Sequence, residues 1–196
     1  MEIQLSMFDV VMDLVRIEPI LLLGIAIIAI FVSKGKTAIL SVVLYYYLCV
    51  MLINIVGIPT LAEYIRLTQL DEAFFNPNIN LILLREGLST GFILNIFLFI
   101  PLGFLCPLIS RTFERAGNTF FIGLGLSAMI EIGQLFTLYR ATDINDLIAN
   151  TLGTLIGYLC FRLAAKLRIV KTDSNQTSAK IPFAIIGLAL VLGFFS

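Results

Sequence analysis

Histidine is absent from this chain, and charged residues are scarce. Of its 196 residues, 13% are charged and 59% are hydrophobic. The missing histidine removes the commonest general base and metal ligand, so any chemistry must use carboxylates, Arg, Lys, Ser, Thr, Tyr or Cys. We therefore expect no metal site and no cofactor. Soluble domains carry roughly 25% charged residues, so this composition predicts an integral membrane protein.

Other shortages narrow the class further. The formal net charge is zero and no long basic run occurs, so nucleic acid is not an expected partner. The three cysteines lie apart in apolar segments, which predicts small buried core residues and no disulfide framework: Cys49, Cys106 and Cys160. The first residues lack the basic stretch and cleavage site of a signal peptide, so we expect the first membrane helix to direct insertion.

Apolar runs divide the chain into membrane segments. Residues 2–17 carry one polar stripe with a three- to four-residue spacing, which predicts an amphipathic helix at the membrane surface. We thus expect an interfacial helix over 1–17 and a single transmembrane domain over 18–196, an all-α polytopic bundle of about five or six transmembrane helices. The apolar segments cover 19–33, 37–58, 90–109, 119–138, 144–165 and 181–195. The middle four can cross a core of ~30 Å, whereas the first is marginal and the last reaches only about 22 Å.

Positive charge predicts the orientation of these segments. If they alternate across the bilayer, eight Lys and Arg residues fall on one side and four on the other, which makes the first side cytoplasmic. The N-terminus and a long polar loop over about 59–89 then face outward. In that loop, helical turns near 61–70 and a re-entrant or surface-lying piece near 79–84 are both consistent with the sequence. Residues 166–180 form a flexible cytoplasmic linker.

Polar residues concentrate between 127 and 158. Ser127, Glu131 and Gln134 follow the helical spacing i, i+4 and i+7, so they share one face. A carboxylate in hydrocarbon is costly, so Glu131 should face a bundle interior or a watery cavity. Two interpretations stay open: Glu131 faces an outward cavity, or it is structural, in a hydrogen bond or an ion pair with a partner such as Arg140.

The connection that follows contains Arg140, Asp143 and Asp146. Thr142 or Asp143 can cap the next helix, and acids near its start favour the helix dipole. Capping does not account for Asn150, one turn below Asp146 on the same face. The small residues Ala149, Gly153 and Gly157 predict close helix packing and not a ligand loop.

Two further polar positions precede this region. Asn95 lies within the third membrane segment, and Arg85 precedes that segment. Arg85 is either an ordinary interfacial charge or, with Arg140, a group that neutralises acids or grips a phosphate or carboxylate. Pro101 is expected to kink the same segment near mid-membrane.

Three sequence blocks together resemble one family of bacterial membrane proteins, the VanZ family. They are NIFLFIPLGFLCPLI at 95–109, SAMIEIGQLF at 127–136 and R-x-x-D-I-N-D-L-I-A-N-T-L-G at 140–153. The matching core spans about 80–158, and the first two membrane segments match it only as hydrophobic helices. The motif positions carried over are Asn95, Pro101, Gly103, Glu131, Gln134, Arg140, Asp143, Asp146, Asn150 and Gly153.

The resemblance implies a multi-pass protein of the bacterial cell membrane. The family's named member is associated with resistance to teicoplanin, a glycopeptide that binds cell-wall precursors from outside. Antibiotic resistance does not follow from the motif alone, because function belongs to the site and not to the fold.

We expect an outward-facing polar site that handles an amphiphilic or lipid-linked envelope component. The expected partners are membrane lipid and either a lipid-linked precursor or a lipoglycopeptide, and the oligomeric state stays open. The expected binding residues are Arg85, Asn95, Glu131, Gln134, Arg140, Asp143, Asp146 and Asn150.

Two other functions stay open. One is an intramembrane enzyme acting on a lipid-linked substrate, in which Glu131, Asp143 and Asp146 supply acid and base or hold a divalent cation. The absence of histidine and of a nucleophile motif argues against it. The other is a proton-coupled transporter, which needs polar groups reaching both membrane faces, whereas these cluster in the outer half.

Overall fold

A computed structural model describes residues 19–32, 35–75, 77–84, 87–137, 140–171 and 180–196. The predicted amphipathic helix, Arg85 and most of the predicted linker lie outside these residues. The α-helices are α1 (Pro19–Phe31), α2 (Lys36–Cys49), α3 (Leu61–Gln69), α4 (Thr90–Ile109), α5 (Ala116–Gln134), α6 (Ile144–Lys166) and α7 (Lys180–Phe194). A π-helical segment (Val50–Val56) extends α2, a 3-10 turn (Arg111–Glu114) links α4 to α5, and the short strands are β1 (Ile79–Asn80) and β2 (Thr142–Asp143).

Among the described residues, four segments are long and apolar enough to cross a membrane. They are Lys36–Gln69, Thr90–Ile109, Ala116–Gln134 and Ile144–Lys166. This confirms the predicted all-α membrane bundle and its four middle spans. The outer helices α1 and α7 have 13 and 15 residues. At 1.5 Å per residue they reach only about 20 and 22 Å, so their crossing of a ~30 Å core stays a prediction.

Side-chain caps mark where several helices begin. Ser89 accepts a hydrogen bond from the N–H of Phe92 (3.1 Å) at the start of α4, and Asp143 caps α6. In the long loop, Thr60 accepts from the N–H of Glu63 (3.2 Å) and starts α3. Each cap satisfies a backbone donor that the helix itself leaves open. The predicted helical turns near 61–70 and the predicted cap at Asp143 are confirmed.

Small residues bring α4 and α6 into backbone contact. A Cβ atom placed on Gly153 would lie 2.1 Å from the carbonyl oxygen of Ile96, and one on Gly157 would lie 2.0 Å from that of Ile100. Ala149, one turn earlier, is fully buried. The predicted small-residue track is therefore confirmed as a packing surface, and its rising register shows that α4 and α6 run parallel.

The other helices alternate in direction around this pair. Helix α5 runs antiparallel to α6, since Asn150 near the start of α6 donates to Ser127 late in α5 (3.0 Å). Helix α2 begins where the Lys36 ammonium donates to the carbonyl of Lys171. Consequently one end of the bundle, which we call the basic end, gathers Lys36, Arg111, Arg115, Lys166, Arg168, Lys171 and Lys180. The opposite end, which we call the polar end, carries α3, β1, β2 and the start of α6.

Free cysteines occupy two different environments. Cys49 and Cys106 are buried in the core, as their apolar surroundings predict, but Cys160 is exposed on α6. The prediction of a buried thiol at position 160 is therefore wrong. The helical spacing of apolar residues could not predict that Cys160 is exposed, because α6 is apolar on nearly all of its sides.

Orientation can be tested directly with cysteine labelling. In a cysteine-free background, Lys36→Cys, Arg115→Cys and Lys171→Cys are expected to resist an impermeant maleimide on intact cells, whereas Arg66→Cys reacts. The physical reason is the excess of Lys and Arg at the basic end, which favours the cytoplasm. Permeabilised cells, in which all four positions should react, are the control. Labelling of position 115 but not 66 in intact cells would invert the orientation.

Candidate functional site

A two-stranded parallel ladder joins the long loop to the start of α6. Ile79 pairs with Thr142 and Asn80 with Asp143, and the N–H of Thr142 donates to the carbonyl of Asn78 (2.8 Å). Parallel strands need a long crossover connection, here the whole of α4 and α5. The ladder therefore closes the polar end of the bundle over residues that are more than sixty positions apart.

Asp143 is the centre of this closure. Its Oδ2 accepts from the amide of Asn80 (2.9 Å), and its Oδ1 accepts from both the N–H and the side-chain amide of Asn145 (2.7 Å each). Asn145 in turn accepts from the N–H of Leu84 (2.7 Å) and donates to the carbonyl of Ile82 (3.1 Å). Asp143 thus caps α6 and fastens the segment 79–84 to it.

Glu131 is buried and bonded to the backbone of the same turn. Its Oε2 accepts from the N–H of Asp143 (2.8 Å), and its own carbonyl accepts from the hydroxyl of Thr142 (2.8 Å). Gln134, with its amide oriented to satisfy its neighbours, donates to Glu131 Oε2 (3.3 Å) and to the carbonyl of Ala141 (3.1 Å). The predicted shared face of Ser127, Glu131 and Gln134 is confirmed, since all three are buried.

Arg140 does not pair with Glu131. Its guanidinium donates to the carbonyl of Ile55 (3.2 Å), and its Nη2 would lie 3.0 Å from a Cβ atom on Gly57. It thereby covers the carboxyl end of the π-helical extension of α2, where a cation is electrostatically favoured. It also interacts with the charge of Asp146. The alternative in which Glu131 and Arg140 form a buried ion pair is therefore wrong.

Asp146 is the least engaged of the three acids. Its half-buried carboxylate interacts with the side chain of Asn95 and with the charges of Asp143 and Arg140. It lines a cavity of about 120 Å³ at the end of the bundle. The other lining residues are Asn80, Leu84, Gly87, Ser89, Gly91, Phe92, Asp143 and Asn145. Since a water takes about 30 Å³ in the liquid, the cavity accommodates a few polar groups and not a whole amphiphile.

Asn150 lies beneath this cavity, between α5 and α6. Its amide donates to the hydroxyl of Ser127 (3.0 Å), while its buried Oδ1 has no hydrogen-bond partner among the described residues. A buried carbonyl oxygen without a donor is costly and is uncommon in a folded protein. Asn150 therefore extends the acceptor-rich character of the site into the bundle.

The structure thus sorts the residues that the sequence singled out. Asp143 and Asp146 line the cavity, and Asn95 contacts Asp146 from α4. Glu131 and Gln134 bond to the turn that contains Asp143, and Arg140 turns toward α2. Sequence reasoning missed both Asn80 and Asn145 as site residues. The available signal was the density of asparagine around 76–80 and 145, since amides often bond to backbone in loops.

The chemistry of this site is that of a hydrogen-bond acceptor. Carboxylate oxygens accept only, so a group that binds to the carboxylates must donate through a hydroxyl, an ammonium or an amide N–H. Among the described residues, no group of three His, Cys, Asp or Glu side chains is placed to hold a metal ion. The alternative in which these acids hold a divalent cation is therefore not supported, because backbone and amide donors already occupy Glu131 Oε2 and both oxygens of Asp143.

Fold and site together define a polytopic, all-helical membrane protein with a carboxylate-lined cavity at one end of its bundle. The chain belongs to the VanZ/LLP1 family, whose family model matches residues 19–165. The match extends beyond the 80–158 core on which the resemblance was based, and it includes α1 and α2. No curated protein and no solved structure matches this chain.

Proposed function

We propose that this protein binds the polar head of an amphiphilic or lipid-linked cell-envelope component in the cavity beside Asp146. The observation that carries the proposal is the cavity itself, where half-buried carboxylates and amides converge at one end of the bundle. The cavity is small and mainly polar, with Leu84 and Phe92 as its large apolar lining residues, so it suits a polar head group and not an apolar tail. Sugar hydroxyls, amines and peptide N–H groups are the donors that it fits.

The apolar part of such a ligand would lie along the loop that forms the cavity rim. Leu81, Ile82 and Leu83 are 71%, 55% and 56% exposed, and Leu84, which lines the cavity, follows them. A contiguous exposed apolar run beside a polar cavity is typical of a membrane or ligand contact. Asn145, which is bonded to Asp143, holds this run in place through the backbone of Ile82 and Leu84. The groups that would contact the head and the tail of the ligand are therefore fixed relative to each other.

The site is proposed to face outward in the bacterial cell membrane. Envelope precursors and lipoglycopeptides are both amphiphiles with donor-rich heads, and both occur at the outer leaflet. Handling either one would alter susceptibility to teicoplanin-type antibiotics, so resistance is the phenotype that we propose to measure.

Asp146→Asn is expected to weaken ligand binding strongly while the protein stays folded. Asparagine keeps the shape but removes the charge, and a hydrogen bond to a charged acceptor contributes about 1.5–3 kcal/mol, or roughly ten- to a hundredfold in Kd. The measurements are growth under teicoplanin and affinity of the purified protein for teicoplanin and for a lipid-linked peptidoglycan precursor. Yield and melting temperature in detergent check the fold.

A matched control is Asp71, an acid in the long loop over 59–89 that does not line the cavity. Asp71 is exposed and adopts φ 55°, a conformation that asparagine also tolerates, so Asp71→Asn removes one acid without straining the backbone. This variant should behave like the wild type in every assay. Equal behaviour of Asp146→Asn and Asp71→Asn, or no binding of either ligand by the wild type, would overturn the proposal.

An intramembrane enzyme is the second candidate. The observation in its favour is that the charges of Asp143 and Asp146 both act on Glu131, which places three carboxylates in one cluster. Paired carboxylates can serve as general acid and base. Glu131→Gln separates the two candidates, since glutamine can still accept from the N–H of Asp143. Loss of turnover of a lipid-linked substrate with unchanged affinity would favour the enzyme, and loss of affinity would favour the binding protein.

A further inference from the structure

A second cavity, larger than the first, lies at the basic end of the bundle. It has a volume of about 820 Å³ and is bounded by the 3-10 turn, the last turns of α6 and the segment that follows α6. Its volume falls in the range of sites that hold small molecules, about 300–1,000 Å³. Its lining residues are Arg111, Glu114, Phe161, Arg162, Leu163, Ala165, Lys166, Val170 and Lys171. We call it the basic cavity.

The charge of the basic cavity is strongly positive. Four of its lining residues are cationic and one, Glu114, is acidic. Arg162 and Lys166 are four positions apart on α6, so they share one face, where like charges repel. Within the described part of the chain, the side chains of Arg111, Arg162 and Lys166 form no hydrogen bond or ion pair. An anion placed among them would relieve the repulsion and accept their hydrogen bonds.

Hydrogen bonds to backbone carbonyls hold the walls of the basic cavity in place. The hydroxyl of Tyr158 on α6 donates to the carbonyl of Glu114 (2.8 Å), and the hydroxyl of Thr119 donates to the carbonyl of Phe113 (2.6 Å). Phe113 itself is buried in the core. On the opposite side, the Lys36 ammonium holds the backbone of Lys171. The cationic side chains therefore project from backbone that is fixed before any ligand arrives.

An apolar path leads from the basic cavity along the outside of α6. Leu163 lines the cavity and is 59% exposed, and Leu159, one turn nearer the middle of the helix, is 63% exposed. In a membrane-spanning helix, such exposed leucines face lipid tails. An acyl chain can thus lie along α6 while its head group stays in the cavity. A free phosphate compound has no acyl chain and would gain nothing from these leucines.

We propose that the basic cavity binds the phosphate-bearing head group of an anionic membrane lipid in the leaflet at that end of the bundle. Arginine forks and lysine ammonium groups are the usual partners of phosphate oxygens. Basic pockets between transmembrane helices recognise lipid head groups in this manner. This site is separate from the cavity beside Asp146 at the other end of the bundle, and the proposal does not depend on what that cavity binds.

The test is lipid binding by the purified full-length protein in a neutral detergent. Short-chain phosphatidylglycerol is titrated and followed by thermal shift and native mass spectrometry, beside phosphatidylcholine of the same chain length and glycerol 3-phosphate. We expect saturable binding of phosphatidylglycerol only. The double variant Arg162→Gln, Lys166→Gln should weaken it roughly ten- to thirtyfold, because each cation near a lipid phosphate contributes a few-fold to the affinity.

A charge-matched control double variant is Arg115→Gln, Arg168→Gln. Both residues are exposed at the same end but do not line the cavity, so phosphatidylglycerol affinity should change less than threefold. An equal loss in both double variants would mean diffuse surface attraction and would overturn the proposal. Equal affinity for glycerol 3-phosphate would reassign the site to a soluble phosphate compound, and equal affinity for phosphatidylcholine would also overturn it.

Glu114→Gln provides an independent check that does not remove a cation. Eliminating the acid from the cavity raises its positive charge, so phosphatidylglycerol should bind more tightly, by about tenfold or less. The backbone carbonyl of Glu114, which Tyr158 holds, is unchanged by this substitution. Unchanged or weaker binding in a folded Glu114→Gln protein would contradict the proposal even if the double variant failed to fold.

Discussion

Gly153→Ala is expected to destabilise the folded bundle by about 3 kcal/mol or more, the upper range for overpacking a core. The added methyl group would lie 2.1 Å from the carbonyl oxygen of Ile96. That neighbour is backbone of α4 and cannot turn aside as a flexible side chain can, so α4 and α6 must separate. Because the polar site is assembled from the first turns of these two helices, binding should be lost together with stability. Detergent melting and unfolding by denaturing detergent measure the effect.

Gly125→Ala is the matched control for this prediction. Gly125 lies in the interior of α5 and a Cβ atom there meets nothing within 4 Å. Alanine is the better helix former by up to about 1 kcal/mol, so the control should be neutral or slightly stabilised. If Gly153→Ala and Gly125→Ala gave the same melting temperature, the contact between α4 and α6 would not be as close as the structure shows.

Asp143→Ala is expected to lower the free energy of unfolding by about 2–3 kcal/mol and to release the loop over 77–84. The substitution removes the cap of α6, which contributes about 1 kcal/mol. It also leaves the amides of Asn80 and Asn145 without the acceptors that they use in the folded protein. The expected results are faster hydrogen exchange and easier proteolysis of this loop, and loss of binding at the cavity.

Asp143→Asn is expected to produce a smaller loss of stability than Asp143→Ala. Asparagine is a good capping residue and retains Oδ1 for Asn145, but its amide nitrogen cannot accept from Asn80. Its loss of stability should be about half that of alanine, with partial release of the loop. An alanine variant whose loop exchanges as slowly as in the wild type would show that the 79–84 segment is held by other contacts.

Local pattern was sufficient for the helices and for the face that each polar residue occupies. Hydropathy indicated the four long spans, since an apolar run of about 20 residues has few alternatives to a membrane helix. The spacing of Ser127, Glu131 and Gln134 placed them on one buried face, and the glycines of α6 indicated its packing surface. These features depend on the period of a single helix, which neighbouring residues already define.

Long-range pairing could not be read in the same way. Asp143 meets Asn80 across 63 positions, and Arg140 meets the carbonyl of Ile55 across 85. Both contacts depend on the register between α4 and α6 and on where α2 ends. The spacing of residues within a single helix defines neither of these. The alternative in which Arg140 pairs with Glu131 is wrong for this reason. Backbone carbonyls at helix ends compete with carboxylates for a cation such as Arg140. Distance along the sequence does not predict which of these acceptors the cation contacts.

By itself, the sequence determined that the protein is a helical membrane bundle and that Glu131, Asp143 and Asp146 lie near one of its ends, because a carboxylate is costly in the middle of the lipid. Only the tertiary structure decided which of these acids is least engaged by other protein groups. Asp143 and Glu131 are occupied by backbone and amide donors from the closing ladder, while Asp146 faces the cavity. The basic cavity was likewise decided by packing, since Arg111 comes from the 3-10 turn and the other cations come from the end of α6 and the segment after it, and these two regions meet only when the helices assemble.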